Sequence, residues 1–591
     1  MYEEEDEETY EGLSWSRRTF MQATVAASVL AASRAALAKK TAGTAAAYIA
    51  GQLARHGATT LFGVPGATCD PLFEACHGNP KMSLAITSSD LEAGYAADGF
   101  ARMRGLSALS VTYGVGTMSL MSVVAGAYAE RSPIVVFNGG PHGTDLRLQR
   151  DFDTYFSHST GHASSDLEMF RRITAYAKRA ERAKDVPRVV DEAIRVALQQ
   201  RRPVYVEIPK SLWTARVSAT GDTIDGRVAA SGKEAQVAER IVDVLAKAKR
   251  PALLLGVELE RYGLHAEAKR LVEHLGVPYA TTMLAKTVLA EGAPLFAGVY
   301  VGGRSVPAMR KFLEGADAVL ALGCVFGRQY RTVATKSSNL VAVSNGRARF
   351  GLGKKASETP VALDALIDAL LAKRFSKNAA HAATNPRRGR SFDERRASLS
   401  KRAAEGPLTY DGLLKTVSDR LRPEHVVLTD TSLMMYPAGD LDVRGRGAFV
   451  CNGVWQAIGF SAGAAAGVAI AAPDKKPIVI CGDGGFQMTA QALSTIAKMK
   501  LPVTVIVVNN GHYGIEQFLL DRNYFDAGKG GIPYLDLNDW DYVGFARALG
   551  ITNAKAVTTT EQLAAALSGD GPAFIDAKIA RSDLPAQLRK A

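Results

Sequence analysis

The sequence predicts an α/β protein built from three doubly wound parallel-sheet domains. Short Val- and Ile-rich runs alternate with amphipathic helical stretches along nearly its whole length, the rhythm of parallel strands covered by helices. Two polar, aperiodic stretches, 218–232 and 375–403, interrupt that rhythm and read as linkers. At 591 residues the chain is also too long for one hydrophobic core.

Residues 1–38 are set apart from this pattern. Ser16-Arg17-Arg18-Thr19-Phe20-Met21 opens a mildly apolar Ala/Val run, and Ala36-Leu37-Ala38 supplies a small-x-small cleavage site. The order is that of a secretory signal, and the arginine pair resembles a twin-arginine signal. The apolar run is too short to span a bilayer. The expectation is therefore a periplasmic protein, or a cytoplasmic one if 1–38 is not a signal. Export by that route carries folded proteins and suits an enzyme loaded with its cofactor before export.

The first domain is expected over 41–217, with strands near 107–113, 133–138 and 203–209. The second is expected over 233–374, with strands near 251–257, 317–323 and 339–345. The third covers 404–591, with strands near 425–431, 477–483, 503–510 and 572–579. No short-period repeat is visible, which excludes a solenoid. Net charge is +12, but no Lys/Arg run exceeds three and no nucleic-acid module is present. A basic surface on an enzyme with anionic ligands is expected, with no nucleic-acid partner and no membrane insertion. Five cysteines, odd in number and without metal-ligand spacing, exclude a disulfide framework.

The sharpest motif is Gly482-Asp483-Gly484 at the end of an apolar run, followed after a gap of 24 residues by Asn509-Asn510 at the end of the next. Ends of neighbouring parallel strands share the carboxyl edge, where ligands bind. Mg2+ wants hard oxygen ligands and a phosphate partner. Asp483 offers a carboxylate, Asn510 an amide oxygen, and a backbone carbonyl near His512 a third ligand. Gly482, Gly484 and Gly485 let a diphosphate approach the backbone, and Gly485 and Phe486 open the following helix, whose N-terminus favours anions.

This stretch resembles the thiamine diphosphate signature, and the chain resembles the 2-oxo acid decarboxylase and acetolactate synthase superfamily. Leu61-Phe62-Gly63-Val64-Pro65-Gly66 looks like that superfamily's early strand-turn, and Ala93 to Arg102 like its pyrimidine-side helix. Ala125-Gly126-Ala127-Tyr128-Ala129-Glu130, Ser132-Pro133 and the 203–209 strand are closest to the phenylpyruvate and indolepyruvate decarboxylase branch. The resemblance implies pyrimidine-binding, central and diphosphate-binding domains, with thiamine diphosphate and Mg2+ as cofactors. It also implies a small-molecule 2-oxo acid substrate and a homodimer or homotetramer, because the cofactor bridges two chains.

By the same resemblance, a carboxylate activates the aminopyrimidine ring. Counting back from Ala96-Ala97-Asp98 gives Asp90, where the family has Glu. Glu92 is the rival, but two residues along a helix is about 200° of rotation, which turns it away. Trp455-Gln456-Ala457-Ile458-Gly459-Phe460 looks like the segment that holds the cofactor bent, with Ile458 as the wedge and Gln456 beside it. Glu516 and His158 occupy proton-handling positions, with Ser157 replacing one histidine of a pair. Asp430 and Thr431 are expected beside the cofactor amine. Ala67 and Leu433 replace an Asp and a Thr, and Leu433, Met434 and Met435 predict an apolar pocket. No Gly-x-Gly-x-x-Gly occurs in the central domain, and no flavin is expected.

Non-oxidative decarboxylation of a 2-oxo acid to an aldehyde is the leading expectation. Two alternatives stay open: acetolactate synthase-like joining to a second carbonyl compound, and a cofactor-binding protein without turnover.

Overall fold

The computed structural model describes residues 43–218, 221–337, 339–351, 353, 356–387, 406–527, 530–569 and 571–589. The expected signal, 1–38, lies outside the described residues. Three α/β units follow one another, each around its own sheet.

The first sheet comprises β1 (Thr60–Gly63), β2 (Ser83–Ile86), β3 (Ser107–Val111), β4 (Ile134–Gly140), β5 (Tyr176–Arg179) and β6 (Val204–Pro209), in the order β2-β1-β3-β4-β6-β5. Every pairing in it is parallel. β3, β4 and β6 are buried at every position, which is why they read as continuous apolar runs.

The central sheet comprises β7 (Pro251–Leu255), β8 (Tyr279–Thr282), β9 (Phe296–Tyr300), β10 (Ala318–Leu322), β11 (Leu340–Ser344), β12 (Arg347–Phe350) and β13 (Ser357–Pro360). Its order is β13-β12-β11-β10-β7-β8-β9. β12 and β13 pair antiparallel, so this sheet is mixed where an all-parallel one is predicted. The cause is local: Asn345, at φ 53°, and Gly346, at φ 72°, turn the chain straight back after β11.

The third sheet comprises β14 (His425–Thr429), β15 (Phe449–Cys451), β16 (Lys476–Gly482), β17 (Thr504–Asn509), β18 (Asn553–Val557) and β19 (Ala573–Lys578), in the order β15-β14-β16-β17-β19-β18. All its pairings are parallel. The chain winds outward in opposite directions from β14 and β16, so a crevice opens at their carboxyl ends.

The first and third units meet through two helices, α1 (Asp90–Arg104) and α2 (Phe460–Ala471). A Cβ on Gly467 would collide with the Ala96 carbonyl, and one on Gly99 with the Ala464 carbonyl. Glycine at both positions brings the two helix backbones together. All five cysteines are buried and unpaired, as their number and spacing imply. Among the described residues no helix is long and apolar enough to cross a membrane.

Candidate active site

The crevice at the β14/β16 switch forms a pocket whose lining comes wholly from the third unit. Thr431, Ser432, Leu433 and Met434 follow β14. Gly482 ends β16 and Asp483, Gly484 and Gly485 follow it, while Val508 lies near the end of β17 and Asn510 just beyond it. Register alignment of Gly482 with Val508 sets the two sequence motifs side by side. Ile458 and His512 complete two of its walls.

Asp483 is 3% exposed. Its Oδ2 accepts the amides of Gly511 at 2.7 Å and Asn510 at 3.0 Å, and its Oδ1 accepts that of Gly484 at 2.9 Å. Burial nevertheless pushes its carboxyl up to about 6, against the pull of those three amides. Asn510 donates through Nδ2 to the Tyr410 hydroxyl at 2.9 Å, and the His512 amide reaches its Oδ1 at 3.3 Å. The His512 ring is buried and stands edge-on to Tyr524. Among the described residues no three His, Cys, Asp or Glu side chains converge as a metal site. What the pocket brings together is one carboxylate and one amide oxygen, hard donors suited to Mg2+ completed by phosphate.

Asp430 lies behind the pocket rather than on it. It is fully buried, and its Oδ2 accepts the Gly459 amide at 2.8 Å while Oδ1 accepts that of Thr431 at 3.0 Å. Burial pushes it up to about 7. It thereby ties down the segment carrying Ile458. Gln456, at φ 61°, is exposed, and its amide nitrogen lies 3.3 Å from the Tyr436 hydroxyl. Phe486 does not reach the pocket: its ring packs in the core against Tyr542, Phe545 and Phe574. Glu516 is exposed on α3 (Gly514–Leu520), whose first two residues line the pocket.

Asp90 and His158 sit at the carboxyl edge of the first sheet, and neither lines this pocket. Ser89 caps α1 by accepting the Glu92 amide, and Asp90 is its first residue. Asp90 Oδ1 lies 3.1 Å from where a Cβ on Gly116 would stand, so the bare glycine makes room for it. Burial raises its carboxyl above the usual aspartate range. Glu92 points the other way, fully buried, with Oε2 accepting the Ser88 amide at 3.0 Å. It also meets Thr495 on the third unit's helix Ala492–Lys498. His158 is exposed at φ 68°, with its carbonyl against Gly114.

Two residues of these edges carried no signal in the sequence. Asp166, fully buried, accepts the Gly114 amide at 2.9 Å and Asn138 Nδ2 at 3.1 Å, and also pairs with the Thr117 hydroxyl. It fixes the loop facing Asp90. Tyr410 anchors Asn510 from a hundred residues away.

Comparison with known proteins accounts for both edges. Residues 43–159 match the thiamine pyrophosphate enzyme N-terminal TPP binding domain, 238–371 the central domain, and 431–577 the C-terminal TPP binding domain. Pyruvate decarboxylase 1 of Oryza sativa subsp. japonica is 30% identical over 88% of this chain and 85% of its own length. The chain belongs to the thiamine diphosphate-dependent 2-oxo acid decarboxylase superfamily. A pyruvate decarboxylase of Neurospora crassa is 28% identical, and an alpha-keto-acid decarboxylase of Mycobacterium avium 29%, each over 92% of this chain and 94% of its own. Thiamine diphosphate and a divalent metal are the cofactors of the superfamily. The hard-oxygen set at Asp483 and Asn510, beside the bare backbone of 482–485, fits them.

Proposed function

We propose that the protein catalyses the thiamine diphosphate- and Mg2+-dependent, non-oxidative decarboxylation of a 2-oxo acid to an aldehyde. The observation that carries this is the pairing of Asp483 with Asn510 at the β16/β17 edge, over the bare backbone of 482–485. Asp483, Asn510 and the His512 carbonyl would hold Mg2+, and Gly482, Gly484 and Gly485 would leave room for the diphosphate. When bound, thiamine diphosphate would supply the nucleophilic carbon and the electron sink that the loss of CO2 requires. Ile458, held through the Asp430–Gly459 contact, shapes the cofactor's floor. Asp90 would hydrogen-bond the pyrimidine ring, and Glu516 and His158 would handle the protons exchanged with substrate and product.

The working unit is a homodimer or homotetramer, a reading supported by Asp90 not lining its own chain's metal pocket. Exposed apolar side chains flank both edges. Val115, Phe152 and Tyr155 are 55%, 76% and 70% exposed on the first unit, and Met488, Leu519 and Leu520 are 50%, 55% and 57% exposed on the third. A second copy covers them. The substrate is an aliphatic or aromatic 2-oxo acid. Leu433 and Met434, both buried, give the pocket an apolar wall. The protein is periplasmic, exported by the twin-arginine signal in 1–38, and Arg17→Lys with Arg18→Lys retains it inside the cell.

Carboligation to a second carbonyl compound is the second reading, favoured by Ala67, exposed at the first sheet's edge and without acid/base capacity. The test is CO2 release by residues 39–591 with both cofactors, on pyruvate, branched-chain, phenyl- and indole-bearing 2-oxo acids, followed by product analysis. Aldehyde alone supports decarboxylation and a hydroxyketone supports carboligation. No release from a cofactor-loaded protein overturns both.

A further inference from the structure

A guanidinium that no carboxylate neutralises stands beside the pocket. Arg304, half-buried, belongs to the central unit's turn Gly302–Arg304, which follows β9. Its cation lies 4.9 Å from the centre of the Tyr436 ring and 5.2 Å from that of Phe518. Ring faces attract the cation without supplying the oxygen acceptors that its five N–H donors would take from an anion. Among the described residues no acid pairs with it and no oxygen accepts from it. The turn itself is held firmly: Ser305 Oγ accepts the Val301 amide at 2.7 Å, and the Arg304 carbonyl accepts Gln587 Nε2 at 2.7 Å.

Both rings belong to segments that wall the pocket. Tyr436 follows the pocket-lining Met434 by two residues, and its hydroxyl meets Gln456 Nε2 at 3.3 Å, on the segment that leads to Ile458. Phe518 stands on α3, four residues beyond Gly514 and three beyond Ile515, both of which line the pocket. Residues at that spacing share a helix face, so Phe518 lies one turn out from the pocket on the same side. Arg304 therefore bridges the outer ends of two pocket walls, beyond the apolar surface of Leu433 and Met434.

A cation held against the carboxylate that leaves as CO2 would oppose the reaction. That carboxylate loses its charge as the bond breaks, so the contact would stabilise the bound substrate more than the transition state. A cation one turn further out is placed instead for a second acidic group at the far end of the substrate. We infer that Arg304 is a specificity-determining residue, and that the substrate is a 2-oxo acid whose aliphatic chain ends in a second carboxylate. The chain would run along Leu433 and Met434, and its terminal carboxylate would take the Arg304 donors in a planar, bidentate match. This deepens the decarboxylase reading and rests on it.

The test uses the full chain loaded with thiamine diphosphate and Mg2+, and compares acids of equal length. 2-Oxopentanedioate is set against 2-oxopentanoate, and 2-oxohexanedioate against 2-oxohexanoate, with CO2 release giving kcat and KM for each. The parent is expected to favour the diacid of at least one pair. Arg304→Leu keeps an apolar cover over the two rings and removes the donors. It is expected to lower the diacid-to-monoacid ratio of kcat/KM by about tenfold to a hundredfold, the worth of a hydrogen bond to a charged group, and chiefly through KM. Arg304→Lys keeps the charge and is expected to restore part of that ratio. A parent that favours the diacid in neither pair, or a ratio that Arg304→Leu leaves unchanged, overturns the inference. So does an equal loss on both acids, the result expected of an arginine that only supports the fold or contacts a second copy of the chain. In each of those cases the monoacids still release CO2 and the decarboxylase reading stands. No CO2 from either kind of acid, in cofactor-loaded protein, sinks both.

Discussion

Asp90 and Glu92 offer a decisive comparison, because they stand two residues apart on one helix and face opposite sides. Asp90 is partly exposed at the first sheet's carboxyl edge, beside the bare Gly116. Glu92 is buried inside the chain against Thr495. Asp90→Asn keeps shape and hydrogen-bonding capacity but removes the charge proposed to activate the pyrimidine. Loss of a group that works through proton transfer is expected to cost roughly 10²–10⁴ in kcat, with cofactor binding and Tm nearly unchanged. Glu92→Gln keeps an oxygen for the Ser88 amide and removes a charge that burial already disfavours. Its cost is expected at about 1 kcal/mol or less, a Tm shift of roughly 2–4 °C, with kcat within about twofold. Asp90→Glu adds a methylene and is expected to retain turnover. The assay is aldehyde formation through a coupled reductase at saturating cofactor, with thermal unfolding of each variant alongside. If Glu92→Gln loses turnover while Asp90→Asn keeps it, the helix-face argument is wrong and the two roles exchange.

Other consequences are equally direct. Glu516→Gln is expected to slow aldehyde formation by roughly 10²-fold or more while leaving the Kd for thiamine diphosphate within about threefold, read by stopped-flow and fluorescence titration. Asp483, raised from an ordinary 3.8 to about 6 in the folded chain, binds a proton more tightly folded than unfolded. Its stabilising contribution is therefore complete below about pH 4 and is lost as pH rises through 6. In cofactor-free protein, Asp483→Asn should gain on the parent by up to about 3 kcal/mol between pH 4 and pH 7; parallel urea-unfolding curves across that range would refute it. Gly467→Ala sets a methyl against the Ala96 carbonyl and should loosen the joint between the first and third units, lowering Tm by several degrees.

The legible parts of this fold are the interior strands. β3, β4, β6, β7, β10, β16 and β17 are Val/Ile/Leu-rich because helices cover both faces, and their ends fall within about two residues of the predicted positions. Edge strands such as β5 (Tyr-Ala-Lys-Arg) and β13 (Ser-Glu-Thr-Pro) were invisible, since a short, half-solvated strand needs no apolar run. In the site, the Asp483–Asn510 pair was legible because both residues end interior strands that neighbour each other. Adjacency misled elsewhere: Phe486 follows the glycines directly, yet the helix starting at Asp483 turns about 100° per residue and delivers its ring to the core. Tyr410 had no pattern to betray it, since one tyrosine at a helix start looks like any core residue.

The motifs that made the resemblance readable do much of their work away from the chemistry. Asp98 and Arg102 belong to the helical run that looks like the superfamily's, and Glu130 ends the Ala-Tyr-Ala-Glu segment. Buried together, Arg102 donates to Asp98 and Glu130, each at 2.9 Å, and to the Cys451 carbonyl at 2.8 Å. Glu130 spends its other oxygen on the amides of Val454 and Trp455, at 2.7 and 2.9 Å. Two side chains of the first unit thus grip the strand-end segment that leads directly to Gln456 and Ile458. Removing one member strands a buried charge, at a cost of about 3–5 kcal/mol, whereas replacing the whole cluster with apolar groups need not destabilise the fold at all. What that swap would forfeit is the fixed position of the 454–455 amides, and with it the entry angle of the segment carrying Ile458. Charge at this joint serves placement rather than stability, so side chains of the first unit fix the segment that carries Ile458 in the third.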